Sequence, residues 1–171
     1  MKVLTVYKSK SGASMYYAEE IAKALGGQAV NYRRLPTEKA ELVIYCAGVN
    51  RGKVDGYRML SGKLAALGGQ VWVAASCLSV PQEDLRLDVA EKSDIPADAL
   101  YLLRGRMSRS RLGWFDRLTV NAHGRQLEKK IQKTQEDRDI LHALTFPTSF
   151  TEIRYILPIV KAARALLDDR Q

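Results

Sequence analysis

The sequence predicts an α/β chain built as an open, doubly wound parallel sheet wrapped by helices. Three observations predict it. Strand-like and helix-like hydrophobic periods alternate through the first hundred residues in the order β-α-β-β-α-β-(α)-β. The joints between them are short. The run 41–47 (ELVIYCA) is apolar almost without interruption, as strands buried on both faces of a parallel sheet are.

Residues 2–7 (KVLTVY) read as the first strand. A helical stripe of Met15, Ala18, Ile21, Ala22 and Leu25 follows and stops at Gly26-Gly27. Residues 28–33 (QAVNYR) make a half-exposed second strand, and 41–47 the third. Residues 48–56 are a loop, and 57–67 a helix closed by Gly68-Gly69. The fourth strand is 70–75 (QVWVAA), and a proline-containing loop and a weakly helical, acidic stretch at 83–92 lead to the fifth, 99–103 (ALYLL).

The alternation then breaks. Residues 104–150 hold a basic segment, an amphipathic stretch at 112–133 and the charged run QEDRD. A last helical pattern runs through Ile159, Val160, Ala163, Leu166 and Leu167. Pro158 fits either the first turn of that helix or a kink in one begun at Thr151. No repeat or low-complexity tract is present. The reading is one domain, residues 1–171, with 104–150 as an insertion or elaboration.

Length and composition narrow the function classes. At 171 residues the chain suffices for one domain with a sizeable core. No apolar run approaches the ~18 residues of a membrane span. The first residues lack a signal-peptide layout, so the expected location is cytoplasmic. Cys46 and Cys77 fit a reducing compartment as free thiols, and no histidine-rich pattern near them suggests a metal site. The net charge of +8 is concentrated: 104–133 carries nine basic residues against two acidic, which leaves the rest nearly neutral.

The stretch YKSKSGAS at 7–14 follows the first strand and opens a helix. In a doubly wound sheet this is where ligands bind, at the carboxyl ends of the strands. Free amides and the positive dipole end of a helix suit a phosphate. Ser9, Ser11 and Ser14 add hydroxyls, and Gly12 lets the backbone curl closely. The loop has neither the GxGxxG of dinucleotide folds nor the GxxxxGK[ST] of nucleotide triphosphatases, so a single terminal phosphomonoester fits it better than a pyrophosphate.

SKSGAS also matches, at every position, the [ST]-x-[ST]-G-x-[ST] phosphate loop of the flavodoxin family, which the chain resembles over about residues 1–103. That resemblance implies a flavodoxin-like doubly wound, five-stranded parallel sheet in the order 2-1-3-4-5, with the basic segment inserted after strand five. It implies FMN as cofactor, with Ser9, Lys10, Ser11, Gly12, Ala13 and Ser14 around its phosphate. The loop after strand three (Gly48, Val49, Asn50, Arg51, Gly52) and that after strand four (Ser76, Cys77, Leu78, Ser79) would flank the isoalloxazine ring. Two features depart from the family. SCLSVPQE, after strand four, has no aromatic residue to stack on a flavin, which predicts a ring held by backbone and by Asn50 or Arg51, with one face open. Electron-shuttling flavodoxins are also usually acidic, and this chain is basic.

GRMSRSRLGWFDRL is similar to the Arg-rich segment of the menaquinone-dependent protoporphyrinogen oxidases, a flavodoxin-like branch, and CAGVNRGKVDGY resembles its loop after strand three. This implies an FMN-dependent oxidoreductase acting on a carboxylate-bearing tetrapyrrole, with electrons passed to a membrane quinone. Arg104, Arg106, Arg109 and Arg111 would grip carboxylates, and Trp114 and Phe115 would pack on the rings. A basic helix with Trp114, Phe115, Leu118 and Leu127 suits peripheral contact with the inner face of the cell membrane. Flavin chemistry belongs to the cofactor, so no acid–base residue is required, and His123 and His142 read as solvated surface groups. The competing readings are a flavodoxin-type electron carrier or quinone reductase, and a module whose Arg/Ser run binds nucleic-acid phosphates.

Overall fold

A computed structural model describes residues 2–169. The parallel sheet is built from β1 (Val3–Lys8), β2 (Gln28–Asn31), β3 (Ala40–Asn50), β5 (Gly68–Cys77) and β6 (Leu100–Arg104), in the order β2-β1-β3-β5-β6. The two-residue β4 (Lys53–Val54) pairs antiparallel with the end of β3 and lies off this path. Without it the order is the 2-1-3-4-5 that the sequence implies.

Strand periodicity explains the two cores. In β3, Val43, Tyr45 and Ala47 join Leu4, Val6 and Val73 on one face, under Leu60 and Leu64 of α2 (Tyr57–Leu67) and Val89 of α3 (Glu83–Ser93). Leu42, Ile44 and Cys46 point the other way, to Tyr17 and Ile21 of α1 (Ala13–Leu25) and Ile159 and Ala163 of α6 (Leu157–Asp168). Each such aliphatic side chain, once buried, contributes about 1.5–3 kcal/mol. Thr5 is the polar exception in β1, and its hydroxyl donates to the Ala18 carbonyl at 2.9 Å.

Two local expectations change, and one open alternative is settled. Gly68 ends α2 as its C-cap but in extended conformation (φ −149°), and it already opens β5. A Cβ there would press on Val43 Cγ2, so the residue serves close packing. β3 and β5 run further than their apolar cores, because the parallel ladder continues to Gly48↔Ser76. Pro158 sits in the first turn of α6, behind a 3₁₀ turn at Ile153–Ile156, and does not kink a longer helix.

The excursion after β6 returns to its starting point. β7 (Arg106–Met107) pairs antiparallel with β8 (Thr148–Ser149), and between them lie α4 (Trp114–Glu128) and α5 (Gln135–Thr145). The two helices meet through Leu127, Ile140 and Leu144, with Val120, Met107 and Leu78 packed against them. Sequence reading found α4 as the amphipathic stretch and left α5 as a charged run.

α5 starts on a reciprocal cap. Thr134 Oγ1 accepts from the Asp137 amide at 3.1 Å, and Asp137 Oδ2 accepts from the Thr134 amide at 2.9 Å. Lys130 Nζ donates to Asp137 Oδ1 at 2.7 Å. The Lys130 hydrogen bond, with those from Thr134, holds the Asp137 carboxyl at about 2. Its folded-state pKa lies below the ~3.9 of an unfolded chain, so its stabilisation is present above that value and is lost as pH falls towards 2. Asp137→Asn is expected to lower the melting temperature at neutral pH, with the gap to the parent narrowing steadily between about pH 4 and 2. A gap that stays constant over that range in a pH series of thermal melts contradicts the assignment.

Candidate functional site

At the carboxyl end of β1 the chain turns at Gly12, whose left-handed backbone (φ 92°) caps α1. Ser9 Oγ accepts from the Gly12 amide at 2.9 Å, which tightens the loop. Tyr16 N is bonded to Gly12 O at 3.1 Å, so the amides ahead of it stand at the open, positive start of the helix. The Ser14 hydroxyl is buried and lies 3.2 Å from that of Ser76, joining this loop to the end of β5.

Beyond β3 the chain reverses in two residues, Arg51 (φ 52°) and Gly52 (φ 74°), and returns as β4. Two left-handed residues in a two-residue hairpin match the strand twist. Glycine adopts this freely; for Arg51 it costs about 1–3 kcal/mol. The strained residue reaches Thr119 of α4, its Nη2 donating to Thr119 Oγ1 at 2.7 Å.

Gly105 brings the fourth segment to the same edge. Its amide donates to Cys77 O at 2.6 Å, and a Cβ would sit 3.3 Å from that oxygen and 3.4 Å from Ser76 Cβ. A side chain there would crowd the end of β5, so the glycine eases the close passage of the chain leaving β6. On α1, the Tyr17 hydroxyl donates to Arg104 O at 2.5 Å and accepts from the Glu152 amide at 3.3 Å. Burial pushes the Tyr17 hydroxyl pKa well up, so it remains a donor. Arg106 is thereby aimed at the first loop, where a Cβ on Gly12 would run into its guanidinium. Arg106 Nε is the only buried side-chain nitrogen or oxygen among the described residues without a hydrogen-bond partner.

These pieces enclose a cleft of about 430 Å³, within the range of small-molecule sites. One end is polar, with Ser11, Ser14 and Arg106. Much of the rest is apolar, with Val49, Leu78, Leu85 and Met107 joined by Leu112 and Val120 on the α4 side and Ile140 and Leu144 from α5. The rim is charged. Lys10 Nζ lies 2.8 Å from Asp116 and 3.5 Å from Asp55, Lys8 lies 2.8 Å from Asp55, and Asn50 Nδ2 donates to Asp116 Oδ1 at 3.3 Å. Partial burial lowers the Lys10 pKa, but its bond to Asp116 and the charges of Asp55 and Asp116 outweigh that and raise it.

The flavodoxin domain model matches residues 4–136. This chain belongs to the flavodoxin domain family. Among solved structures it is similar to "a flavodoxin from the domain Archaea", at 18% identity and a TM-score of 0.44, with 71% of this chain and 95% of that one covered. No curated protein matches it.

In this flavodoxin-domain chain the residues expected at a cofactor fall into two groups. Lys10, Ser11, Ser14, Val49, Asn50, Arg51, Gly52, Ser76, Cys77, Leu78 and Ser79 line the cleft. Ser9, Gly12 and Ala13 shape the first loop from behind, and Lys10, Asn50 and Arg51 are turned to α4 and the rim. Val120 of α4 and Ile140 and Leu144 of α5 bound one side of the cleft.

Of the expected substrate arginines, the three whose side chains are described lie apart from one another. Arg104 is held by Leu78 O at 3.3 Å, by Asp139 at 3.4 Å and over the Phe150 ring at 4.0 Å. Arg106 lines the polar end, Arg111 is exposed, and Trp114 is 67% exposed and outside the cleft. The side chains of Arg109 and Phe115 lie outside what is described. His123 is exposed at the edge of the cleft, and His142 sits against Phe146. Sequence reading missed Gly105, Asp116, Val120, Ile140 and Leu144; for Gly105 the signal was a lone glycine between a strand end and Arg106.

Both cysteines are free. Burial raises the Cys46 thiol pKa far above the usual range, and burial, with the Glu136 charge, pushes Cys77 to about 12. Neither is a thiolate at neutral pH, so neither is a ready nucleophile or disulfide partner. A thiol reagent at mildly alkaline pH should react slowly with the native protein and release two equivalents after unfolding. Rapid native labelling of Cys77, or a disulfide found in protein kept from air, contradicts this.

Proposed function

We propose that the chain binds one FMN in this cleft and acts as an FMN-dependent oxidoreductase of flavodoxin type. The supporting observation is the meeting of a serine–glycine loop, the start of α1 and an arginine whose Nε is buried without a partner, at one end of a largely apolar cleft. The residues present fit the group. The α1 amides and the Ser11 hydroxyl suit a phosphomonoester, while Val49, Leu78, Leu85 and Val120 suit a flat ring system. Flavin supplies hydride or electron transfer when bound, so the protein's part is to bind, orient and exclude water.

α4 and α5 favour a small-molecule reaction over shuttling between large partners. They cover one side of the cleft and present Val120, Ile140 and Leu144 to it. A flat, neutral acceptor of the quinone class suits such a wall, which makes a quinone-reductase type of activity the first reading. Oxidation of a carboxylate-bearing tetrapyrrole, as in the protoporphyrinogen oxidase branch, is the second. Arg111, exposed one residue before cleft-lining Leu112, supports it. Trp114 and Leu118 are exposed on α4 near Arg111 and Arg117, a pattern suited to resting on anionic lipid, where membrane quinones reside. No described helix is long and apolar enough to cross a membrane.

Anaerobic stopped-flow spectroscopy tests the proposal. The protein should take up one equivalent of FMN with quenched fluorescence, and after dithionite reduction a neutral benzoquinone should reoxidise it faster than it does free reduced FMN. Arg111→Gln should leave that rate within about twofold and slow only delivery of electrons from a porphyrinogen. Failure to bind FMN removes the proposal. Bound FMN that reacts no faster than free FMN with either compound leaves an electron carrier as the reading.

A further inference from the structure

We infer that Arg106 is the charged ligand of the cofactor phosphate, so that the insertion after β6, and not the phosphate loop, supplies the cation. This rests on the FMN reading above. Three observations carry it. The guanidinium lies against Gly12, at the start of α1, so closely that a Cβ on the glycine would collide with it. Its Nε is buried with no hydrogen-bond partner, an arrangement that costs stability unless an acceptor arrives.

The third observation is that the loop's own cations are engaged elsewhere. Lys10 is paired with Asp116 and Asp55, and Lys8 with Asp55. Among the described residues no carboxylate pairs with Arg106, the cation left facing the phosphate end. A guanidinium presents a fork of donors that matches phosphate oxygens two at a time, and it stays charged at any relevant pH.

The placement is built in. Gly105 passes against Cys77 and Ser76, Tyr17 holds the Arg104 carbonyl, and the pairing Arg106↔Ser149 fixes the strand that carries the side chain. The Phe150 amide closes the ribbon on Gly105 O at 3.0 Å. On this inference Arg106 serves the cofactor's phosphate, where the sequence resemblance implied a substrate carboxylate.

Titrations of FMN and of riboflavin, which lacks the phosphate, test this in the full chain. The parent should prefer FMN, with an affinity that weakens as salt is raised. Arg106→Gln should lose at least about tenfold in FMN affinity and most of its salt dependence, while riboflavin binds as before. Arg106→Lys should recover part of the loss. Unchanged riboflavin affinity also shows that the variant folds. FMN affinity unchanged in Arg106→Gln overturns the inference and leaves the FMN reading standing. Equal loss of both flavins indicates a damaged cleft and also overturns it. A parent that binds neither flavin overturns the FMN reading itself.

Discussion

The parallel register of β1, β3, β5 and β6 places everything else. Lys8 lies beside Ala47, Gly48 beside Ser76, and Cys77 beside Arg104, so four chain segments leave the sheet at one edge. Polarity alone does not set this register, because β3 is apolar on both faces and a one-residue slip would still bury apolar groups. Size and single polar groups set it. Tyr45 fills the face under α2, and its hydroxyl donates to Asp55 O at 2.7 Å, which also anchors the return from β4. Thr5, turned to the other face, finds its acceptor on α1. A slip would leave both hydroxyls buried without partners, at a cost of about 1–3 kcal/mol each.

The insertion is fastened to that edge in two different ways. Its apolar side, through Leu127, Ile140 and Leu144 with Leu78, continues the protein interior. Its polar side meets the sheet loops through Lys10–Asp116, Asn50–Asp116 and Arg51–Thr119, all partly exposed. Surface pairs of this kind contribute about 0–1 kcal/mol each, so packing holds the helices and the rim contacts orient α4. The basic excess of the segment is thinned in the same way. Arg104 meets Asp139 and Lys130 meets Asp137, which leaves Arg111, Arg117, Arg125 and Lys129 among the exposed cations.

Much of the fold was legible because its signals are local. The near-continuous run 41–47 reads as a buried parallel strand, and α2 begins and ends where its period and flanking glycines put it. Gly68 ends α2 as its position suggests, but its second role, yielding space to Val43 across the sheet, has no local signal. α5 was missed although Thr134 and Asp137 form a cap, since the charges of QEDRD obscured the spacing of Ile140 and Leu144. The loops of the cleft were legible from SKSGAS and from the strand ends. The closeness of Arg106 to Gly12 was not: the two lie far apart in sequence, and the passage of Gly105 over Cys77 brings them together.

The central claim is that the sheet loops and the insertion form one binding site. Hydrogen–deuterium exchange with and without FMN tests it most directly, because it reads each segment separately. The account predicts that FMN slows exchange together in residues 9–16, 48–52 and 76–79, in 105–107, and at Phe150, whose amide closes the ribbon on Gly105. Protection confined to the three sheet loops, with 105–107 and Phe150 exchanging as in the free protein, would contradict it.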